Sequence, residues 1–352
     1  MAKKEENMEK KKNKLWTVLK VFIVLILILA MIISGTIAFG YWYITDKLNK
    51  VQQVQINEEE LNIVEEVEEQ LTGYRNIAIF GVDSRSSNLG RGNRSDCIII
   101  ASINNDTKEV KLLSVYRDTY VQIDGYGLDK INHAYSYGEA PLALKTLNTN
   151  FDLNIKEFVT VNFDAVSEAV DALGGIEMQI TSDEVKYINS YISETSRVTG
   201  KQSSHITEPG TYILDGVQAV SYGRIRYTEG GDYKRTERMR DVIEAMFKKL
   251  KTKSIPEINS ILDKVLPKVY TNISTSEMIS MIPYTMKYNI TDSIGWPYET
   301  RGITLDRWYG VPITLESNVK RMHEELFNDE DYIVSTRVQE ISNNIIKKTG
   351  YR

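Results

Sequence analysis

An uninterrupted apolar run near the N-terminus constrains this chain more than any other feature. From Val21 to Thr45 there are 25 residues without a charge, most of them Val, Ile, Leu, Phe or Ala. At about 1.5 Å per residue, a helix of this length crosses a hydrocarbon core of about 30 Å. A cleaved signal peptide has a shorter apolar region, whereas this run continues into Tyr41, Trp42 and Tyr43, which are typical of a membrane interface. The sequence therefore predicts one transmembrane helix that acts as an uncleaved signal anchor.

The charges around the apolar run predict its orientation. Residues 1–20 hold seven Lys and three Glu, a net charge of +4, in a chain whose total is −5. Because basic flanks stay on the cytoplasmic side, we expect a cytoplasmic tail at 1–20 and an extracellular location for 46–352. This is the topology of a single-pass protein of the cell membrane. The absence of cysteine pairs is compatible with a surface protein of a bacterium with a single membrane, that is, with a Gram-positive-type envelope. The acidic external part argues against nucleic acid as a partner.

The composition of the chain is that of an ordinary globular protein. Hydrophobic residues make up 42% and charged residues 26%, which excludes wholesale disorder. Cys97 is the only cysteine in the sequence, so an intrachain disulfide and a cysteine-rich zinc module are both excluded. Stability must therefore come from a packed core.

Hydrophobic patterning divides the external part into three segments. Residues 46–74 alternate glutamates with apolar residues at helical spacing, which predicts a solvated helical stalk. Residues 75–255 mix short apolar strands with amphipathic helices, and 256–352 is predicted to be a mostly helical extension packed on or beside them. A hairpin is predicted around Asn104. Asp164 and Asp215 are each expected to cap a helix, and a long helix is expected at Asp232–Lys251. The mixture predicts an α/β fold with a mixed central sheet sandwiched by helices.

Arginine is distributed unevenly along the chain. Of 16 arginines, five lie within 224–240 and others lie close to predicted strand ends. Because the planar guanidinium matches phosphate oxygens two at a time, such grouping in an acidic domain suggests a phosphate-bearing ligand. A surface network of salt bridges with the many acidic residues is the alternative, and composition alone favours neither. The arginines concerned are Arg85, Arg91, Arg94, Arg117, Arg224, Arg226, Arg235, Arg238 and Arg240.

Two aspartates flank the loop 84–95. Asp83 follows one predicted strand and Asp96 precedes the next. Two carboxylates beside clustered arginines suit a pyrophosphate bound with magnesium, because carboxylate oxygens bind the hard cation and arginines neutralise the remaining charge. Either aspartate alone is more commonly a turn or cap residue. His133 could be an acid–base residue, although a structural histidine at a helix start is the commoner outcome.

Six short motifs occur in order along the chain: GVDSR (81–85), RSDC (94–97), SVYRDT (114–119), KINHAYSYG (130–138), YGRIR (222–226) and GDYKRTER (231–238). With the N-terminal membrane helix, they resemble the LytR-CpsA-Psr family of bacterial cell-wall enzymes over roughly residues 75–250. The resemblance implies an α/β sandwich and a magnesium-dependent phosphotransferase. Such an enzyme moves a glycopolymer, for example teichoic acid or capsular polysaccharide, from a polyprenyl-pyrophosphate carrier to a peptidoglycan acceptor.

The resemblance also implies roles for particular residues. Asp83 and Asp96 match metal-associated aspartates, and together with Arg117 they are the predicted catalytic residues. Asp83 is the first candidate for the base. Pyrophosphate binding is implied for Arg85, Arg94, Arg117, Arg224, Arg226, Arg235 and Arg238.

The second arginine group also supports a geometric prediction. Arg224 and Arg226 alternate, so on an extended segment their side chains would share one face. Arg235 should open a long helix, whose N-terminal NH groups add positive potential. We therefore predict that these three arginines converge on one pyrophosphate. The isoprenoid tail would need an apolar pocket. Four strand residues are candidates for its lining, although plain core is the favoured interpretation of each: Ile98, Ile100, Leu112 and Val115.

Two positions depart from the family pattern, and two rival functions remain open. Cys97 stands where the family usually has Thr, and Met239 where it commonly has Gln, so a polar contact to the pyrophosphate is expected to be missing. A lipid-pyrophosphate hydrolase would use the same site with water as nucleophile. A non-catalytic cell-envelope regulator is the other alternative, although a tail of 20 residues is too short for a helix-turn-helix.

Overall fold

The computed structural model describes residues 52–84, 89–274, 277, 281 and 284–352, together with 31, 34, 38–42 and 45. The chain divides into two compact units, Met1–Lys50 and Val51–Arg352. The tail expected at 1–20 lies outside the described residues, as does most of the anchor expected at 21–45. Within the described part of the chain, every helix is too short or too polar to span a bilayer.

The second unit contains strands and helices in mixed order. The strands are β1 (Gln52–Gln53), β2 (Tyr74–Val82), β3 (Ser95–Asn104), β4 (Glu109–Val115), β5 (Tyr120–Ile123), β6 (Gly127–Lys130), β7 (Glu157–Asn162), β8 (Ile176–Ile180), β9 (Gly210–Leu214), β10 (Tyr270–Thr271), β11 (Asn289–Trp296), β12 (Thr300–Thr304) and β13 (Trp308–Pro312). The α-helices are α1 (Glu65–Gln70), α2 (His133–Phe151), α3 (Phe163–Leu173), α4 (Ser182–Thr199), α5 (Gly216–Arg224), α6 (Gly231–Leu250), α7 (Ile255–Val265), α8 (Leu315–Phe327) and α9 (Thr336–Thr349).

Among the described residues, seven strands form the central sheet in the order β1-β10-β7-β2-β3-β4-β11. The pairs β1–β10, β7–β2 and β4–β11 are parallel, and the other three pairs are antiparallel. The sheet is therefore mixed, as predicted, and β3 and β4 form the expected hairpin. Separate two-stranded ribbons pair β5 with β6, β8 with β9 and β12 with β13.

Helices cover both faces of the sheet because the strands alternate their side chains. Phe80 and Ile98 point into a large core that includes residues of α2, α8 and α9. Ile77, three positions from Phe80, and Ile99, one position from Ile98, point to the other face and belong to a smaller cluster that Ile243 of α6 joins. The predicted α/β sandwich is thus confirmed.

Helix starts follow the sequence signals closely, with one correction. The side chain of Asp215 accepts from Gln218 N and forms a capping box at the start of α5. Asp164 was expected to cap α3, but Asn162 does so, because it keeps an extended backbone and its side chain accepts from Ala165 N. Asp164 lies in the first turn, where a carboxylate also stabilises the helix start.

The expected division into stalk, domain and extension needs correction in two places. From residue 52 onward, the segment predicted to be a solvated stalk packs on the domain, and its apolar residues Leu61, Val67 and Leu71 are buried in the main core. Beyond residue 255 the chain adds β10 and β11 to the central sheet, beside β7 and β4. The C-terminal segment is therefore an integral part of the sheet as well as a source of helices, and 255 is not a domain boundary.

Candidate active site

A β-bulge positions the two candidate aspartates. Gly81 pairs with Cys97 and Val82 pairs with Ser95, so Asp96 is the extra residue between two pairs. A bulge of this kind re-aims a side chain. Here it does so where β2 ends and β3 begins, and this end of the two central strands is the edge of the sheet meant below. Asp83 follows directly after β2 and lies at the same edge. Asp83 is exposed, and within the described part of the chain its carboxylate has no ion pair.

Five charged residues meet at this edge, and they are called the charged cluster below. Arg117 Nη1 donates to Asp96 Oδ1 at 2.7 Å, and Arg226 Nη2 lies 3.7 Å from Asp96 Oδ2. Arg235 Nη2 donates to the carbonyl of Asp96 at 3.2 Å and to Asp232 Oδ2 at 3.0 Å. The Nε atoms of Arg117 and Arg226 lie 3.4 and 3.7 Å from Asp232. Three predicted arginines and one predicted aspartate are thus brought together, and Asp232 joins them.

The electrostatics of the charged cluster favour an additional anion. Arg235 is 1% exposed, and burial lowers the pKa of its guanidinium. Burial also acts against the charge of Arg117, but Asp96 and Asp232 outweigh it and raise the Arg117 pKa. Among the described residues, the buried Nε atom of Arg235 has no partner, and the buried Nε atom of Arg117 has only the long contacts of 3.4 Å to Asp118 and Asp232. Because an unpaired buried donor is costly, these atoms mark where an anionic ligand would be stabilised.

The long helix α6 explains how Arg235 reaches the cluster. Gly230 adopts a positive φ of 87° just before the helix, which lets the chain turn sharply into it. Asp232 lies in the first turn, and Arg235 follows one turn later on the same side. The helix was expected at Asp232–Lys251 and is found at Gly231–Leu250. Arg235 therefore sits inside the first helical turns, where the backbone NH groups add positive potential.

Arg224 does not share an extended face with Arg226, contrary to prediction. Arg224 is the last residue of α5, and Ile225 separates the two arginines at the helix end. The Arg224 guanidinium carbon lies 4.7 Å from the ring centre of Phe163, and Nη2 lies 3.2 Å from Glu194. Its neighbours are thus aromatic and acidic residues outside the charged cluster.

Arg238 has a structural position. Its Nε donates to Glu184 Oε1 at 2.8 Å, Nη1 to the carbonyl of Ile225 at 3.2 Å and Nη2 to Thr228 Oγ1 at 2.8 Å. Arg238 is 2% exposed and Glu184 is 4% exposed. All three nitrogen atoms therefore serve the protein, and Arg238 fastens the loop before α6 to α4 instead of facing the cluster. The sequence pattern could not show this, since Arg235 and Arg238 are one turn apart on the same helix.

Neither Arg94 nor His133 belongs to the charged cluster. Arg94 is exposed two residues before Asp96, and Arg85 lies outside the described residues. His133 Nδ1 lies 2.8 Å from Asp129 Oδ2, which also accepts from the hydroxyl of Tyr137 at 2.8 Å. His133 is therefore a buried, hydrogen-bonded histidine at the start of α2.

An apolar cavity of about 310 Å³ opens beside the charged cluster. It lies between the sheet and helices α3, α5, α6 and α7, and Asn162 and Arg224 bring the polar groups of its wall. Cys97 also lines it, and burial raises the pKa of the Cys97 thiol to about 12, so the wall is neutral there. The apolar lining includes Ile79, Val159, Val161, Ala165, Ala169, Ala219, Met239, Val242, Ile243 and Met246.

The four strand residues considered for the apolar lining are core residues, which was the favoured prediction for each of them. Ile98, Ile100 and Val115 belong to the packed core on the opposite face of the sheet, and Leu112 belongs to another cluster of buried residues. The cavity uses the other strand face. The signal in the sequence that indicates the cavity is the set of small residues on the helix faces that point to the sheet. Small residues leave space there that larger side chains would fill. Met239, which replaces a common Gln of the family, lines this cavity.

Magnesium can be tested against the donor set. Among the described residues there is no group of three or more His, Cys, Asp or Glu side chains that could hold a metal ion. Asp83 and Asp96 provide two carboxylates at one edge of the sheet. Mg²⁺ is usually held by one or two carboxylates, with water and substrate phosphate oxygens completing its shell. These residues fit an ion that a pyrophosphate completes, and they do not form an all-protein cage.

The fold agrees with the comparisons to known proteins. The chain belongs to the LytR_cpsA_psr family, whose model matches residues 39–309. It is 32% identical to the polyisoprenyl-teichoic acid–peptidoglycan teichoic acid transferase TagU of Enterococcus faecalis, over 72% of this chain and 78% of that protein. The resemblance inferred from six motifs is thereby confirmed.

Solved structures share the fold. TagT bound to LI-WTA matches with a TM-score of 0.57 and 25% identity, over 74% of this chain and 92% of that one. The LytR-CPS2A-psr family protein YwtF (TagT) with bound octaprenyl pyrophosphate lipid matches with a TM-score of 0.53 and 24% identity, over 74% and 91%. The mixed sheet with helices on both faces is therefore the architecture of the family.

Proposed function

We propose that this protein is a membrane-anchored, extracellular phosphotransferase that moves a glycopolymer from a polyprenyl-pyrophosphate carrier to peptidoglycan. The observation that carries the proposal is the junction of an apolar cavity with a cationic cluster. Cys97 lines the cavity, and the next residue toward the N-terminus, Asp96, belongs to the charged cluster. An isoprenoid tail needs the first environment, and a pyrophosphate needs the second.

The arginines of the cluster would bind and orient the pyrophosphate. Arg226 and Arg117 keep 39% and 22% of their side chains exposed for such contacts, and the buried Arg235 adds a third guanidinium beside them. When an acceptor hydroxyl attacks the phosphorus nearest the sugar, negative charge grows on the departing lipid phosphate. Fixed guanidinium groups in a partly buried site stabilise that charge more in the transition state than in the ground state.

The aspartates have a different role. Asp83 has an exposed carboxylate without an ion pair among the described residues, so it can accept the proton of the attacking hydroxyl. Asp96 holds Arg117 in place. If magnesium is bound by Asp83 and Asp96, it supplies a Lewis acid that neutralises phosphate charge. We keep Arg94 and Arg85 as further pyrophosphate contacts, since both flank these aspartates in the sequence.

The name of the TagU relative supports the choice of substrates. That protein is named for the transfer of teichoic acid from a polyisoprenyl carrier to peptidoglycan. We therefore propose an envelope glycopolymer of the teichoic-acid class as the cargo and peptidoglycan as the acceptor.

A product analysis tests the reaction. The full chain in liposomes would be given a polyprenyl pyrophosphate that carries a short glycan, with and without peptidoglycan oligomers and Mg²⁺, and products would be identified by mass spectrometry. We expect a phosphodiester-linked glycan on the oligomers and release of polyprenyl monophosphate. Release of free glycan phosphate at the same rate without acceptor would show a hydrolase, and no turnover would favour a regulator.

A topology experiment tests the membrane placement. The proposal rests on the uncharged run at 21–45 and the basic tail before it. Protease added outside intact protoplasts should degrade the domain and leave a short N-terminal fragment with the cells. Protection of the whole chain would overturn the extracellular location.

A further inference from the structure

A second concavity lies beside the charged cluster at the N-terminal end of α6. It has a volume of about 200 Å³, and we call it the aromatic pocket. Tyr116, Tyr233 and Trp308 supply aromatic walls, and Asp118 and Asp232 supply carboxylates. The rings of Tyr116 and Tyr233 meet edge to face with centres 4.4 Å apart. Tyr233 is 40% and Trp308 is 46% exposed, so both rings retain surface for a ligand.

Two glycines allow the aromatic walls to pack directly on the backbone. A Cβ on Gly302 would lie 2.7 Å from Trp308 Nε1, and a Cβ on Gly295 would lie 2.2 Å from the hydroxyl oxygen of Tyr116. Any side chain at either position would displace the ring, so both rings rest directly on the backbone of a neighbouring strand. The pocket therefore has walls that the backbone fixes, although its rings are half exposed.

The backbone also fixes the distance between the aromatic pocket and the charged cluster. Gly310 of β13 donates its NH to the carbonyl of Asp118 at 3.0 Å, and Thr119 forms a β-bridge with Gly310. Asp118 directly follows Arg117 of the cluster. The β12–β13 ribbon, which contains Trp308, is therefore hydrogen-bonded to Asp118, the residue that follows Arg117 of the charged cluster.

Helix α6 orders the three regions along one line. Tyr233 in its first turn lines the aromatic pocket, Arg235 belongs to the charged cluster, and Met239 and Met246 line the apolar cavity. At about 1.5 Å per residue, the span from Tyr233 to Met246 is about 20 Å. Asp232 belongs to both the aromatic pocket and the charged cluster. The order is therefore aromatic pocket, charged cluster, apolar cavity.

We propose that the aromatic pocket binds the sugar ring that is joined directly to the pyrophosphate of the donor. The order of the three regions is the order of the parts of such a donor: sugar, pyrophosphate and isoprenoid. A pyranose has an apolar C–H face that suits the electron-rich face of an aromatic ring, and a rim of hydroxyls that suits carboxylate acceptors. This inference rests on the proposed function, because it takes the lipid and pyrophosphate to lie in the cavity and the cluster.

Equilibrium binding to two lipids tests the inference. The probes are octaprenyl pyrophosphate and the same lipid with one N-acetylhexosamine on its pyrophosphate, added to the full chain in detergent. The wild type should bind the glycosylated lipid more tightly than the bare lipid. Trp308→Ala should abolish roughly a tenfold advantage, while its affinity for the bare lipid stays unchanged. Trp308→Phe should restore part of the advantage.

Tyr284→Ala is the matched control, because Tyr284 is an aromatic residue of similar exposure, 44%, that lies outside the aromatic pocket. It should keep the full difference between the two lipids. A difference that survives in both Trp308 variants would overturn the inference and leave the proposed function intact. Failure of the wild type to bind the bare lipid would overturn the proposed function itself. A raised KM for the peptidoglycan acceptor with an unchanged KM for the lipid would assign the pocket to the acceptor and overturn the donor assignment.

Discussion

The two faces of the central sheet are built from the same strands but are filled differently. On one face, Phe80 and Ile98 join Phe151 of α2 and Trp296 of β11 in a continuous packed core. On the other face, Ile79 and Cys97 line a cavity of about 310 Å³ that leads to the charged cluster. One face supplies the hydrophobic burial that stabilises the fold, and the other face leaves the space that a ligand needs.

The difference lies in the helices more than in the strands. Strand residues on both faces are apolar and of similar size, so alternation alone does not reveal which face is open. The helices over the packed face bring large side chains such as Leu144 and Phe151. Those over the open face turn Ala165, Ala219 and Gly223 toward the sheet. Substitutions on the two faces should accordingly separate function from stability.

The largest loss of transfer is expected from substitutions of Asp83 and Asp96, which lie where strands β2 and β3 meet the charged cluster. Asp83→Asn and Asp96→Asn each remove a carboxylate from the proposed magnesium site, and Asp83→Asn also removes the candidate base. Transfer should fall by about 100-fold or more in each variant. The melting temperature of Asp83→Asn should change little, because Asp83 is exposed. Rates at several Mg²⁺ concentrations provide the measurement.

Asp106→Asn is the control for these variants, because Asp106 is exposed in the turn between β3 and β4, at the opposite end of β3. It should transfer at the wild-type rate. Wild-type turnover by Asp83→Asn and Asp96→Asn, with an unchanged magnesium response, would show that these are only turn residues and that the proposed mechanism is wrong.

The second prediction distinguishes the roles of Arg235 and Arg238, which lie on the same helix. Arg235→Lys keeps a charge but loses the fork, and each lost charge-assisted bond costs about 1.5–3 kcal/mol. Arg238→Lys breaks the bonds to Glu184 and Thr228, so it should lower the free energy of unfolding by about 2–3 kcal/mol while folded molecules turn over normally. Turnover measurements combined with urea unfolding check both variants. A loss of transfer in Arg238→Lys together with a loss of stability alone in Arg235→Lys would refute the assignment.

The third prediction compares two substitutions that fill space, one on each face of the sheet. Gly223→Leu on α5 places a side chain toward the cavity, since a Cβ there meets its nearest atom, Met239 Cγ, at an ordinary 3.6 Å. It should weaken binding of octaprenyl pyrophosphate and preserve the melting temperature. Ala134→Leu on α2 is the matched change on the packed face, where Ala134 is 0% exposed. Overpacking there should cost about 1–3 kcal/mol of stability with normal lipid affinity. Equal effects of the two variants on melting temperature would show that the faces do not differ.

The sequence predicted the architecture well because strand alternation and helix caps are local signals. The β3–β4 hairpin, the start of α5 and the mixed sheet were all expected and are all present. The stalk was misjudged because a helical stripe of apolar residues looks the same whether it faces water or a core. Leu61 and Val67 are buried because they join the core to which α2, α8 and α9 also contribute, and such contacts between distant segments leave no local signal in the sequence.

The site was predictable in composition and less so in geometry. Grouped arginines and two aspartates identified Asp96, Arg117, Arg226 and Arg235 as a set. The sequence could not separate Arg238 from this set, because its partner Glu184 lies 54 residues away. Asp232 was missed as a cluster member, since an aspartate in a first helical turn usually serves the helix alone. Contacts between distant segments decide both cases.

The smallest expected effect belongs to the packed face and is a pH dependence. His323 of α8 is 1% exposed, stacks on Tyr332 with ring centres 3.6 Å apart, and lies 2.9 Å from the carbonyl of Phe151 through Nε2. Burial lowers the pKa of His323 to about 4, below its ordinary value of 6.5. The stability that the neutral ring contributes is therefore complete above pH 6.5 and is lost as the pH falls toward 4.

By pH 5.5 the loss should be about 1 kcal/mol relative to neutral pH. His323→Gln removes the titrating group, so its free energy of unfolding should fall less between pH 7 and 5.5 than that of the wild type. The exposed His205→Gln variant should keep the wild-type profile. Lipid affinity of the folded protein should not follow this titration, because His323 lies on the face of the sheet opposite the cavity. A parallel fall of lipid affinity and stability in the wild type, absent from His323→Gln, would show that the two faces are coupled.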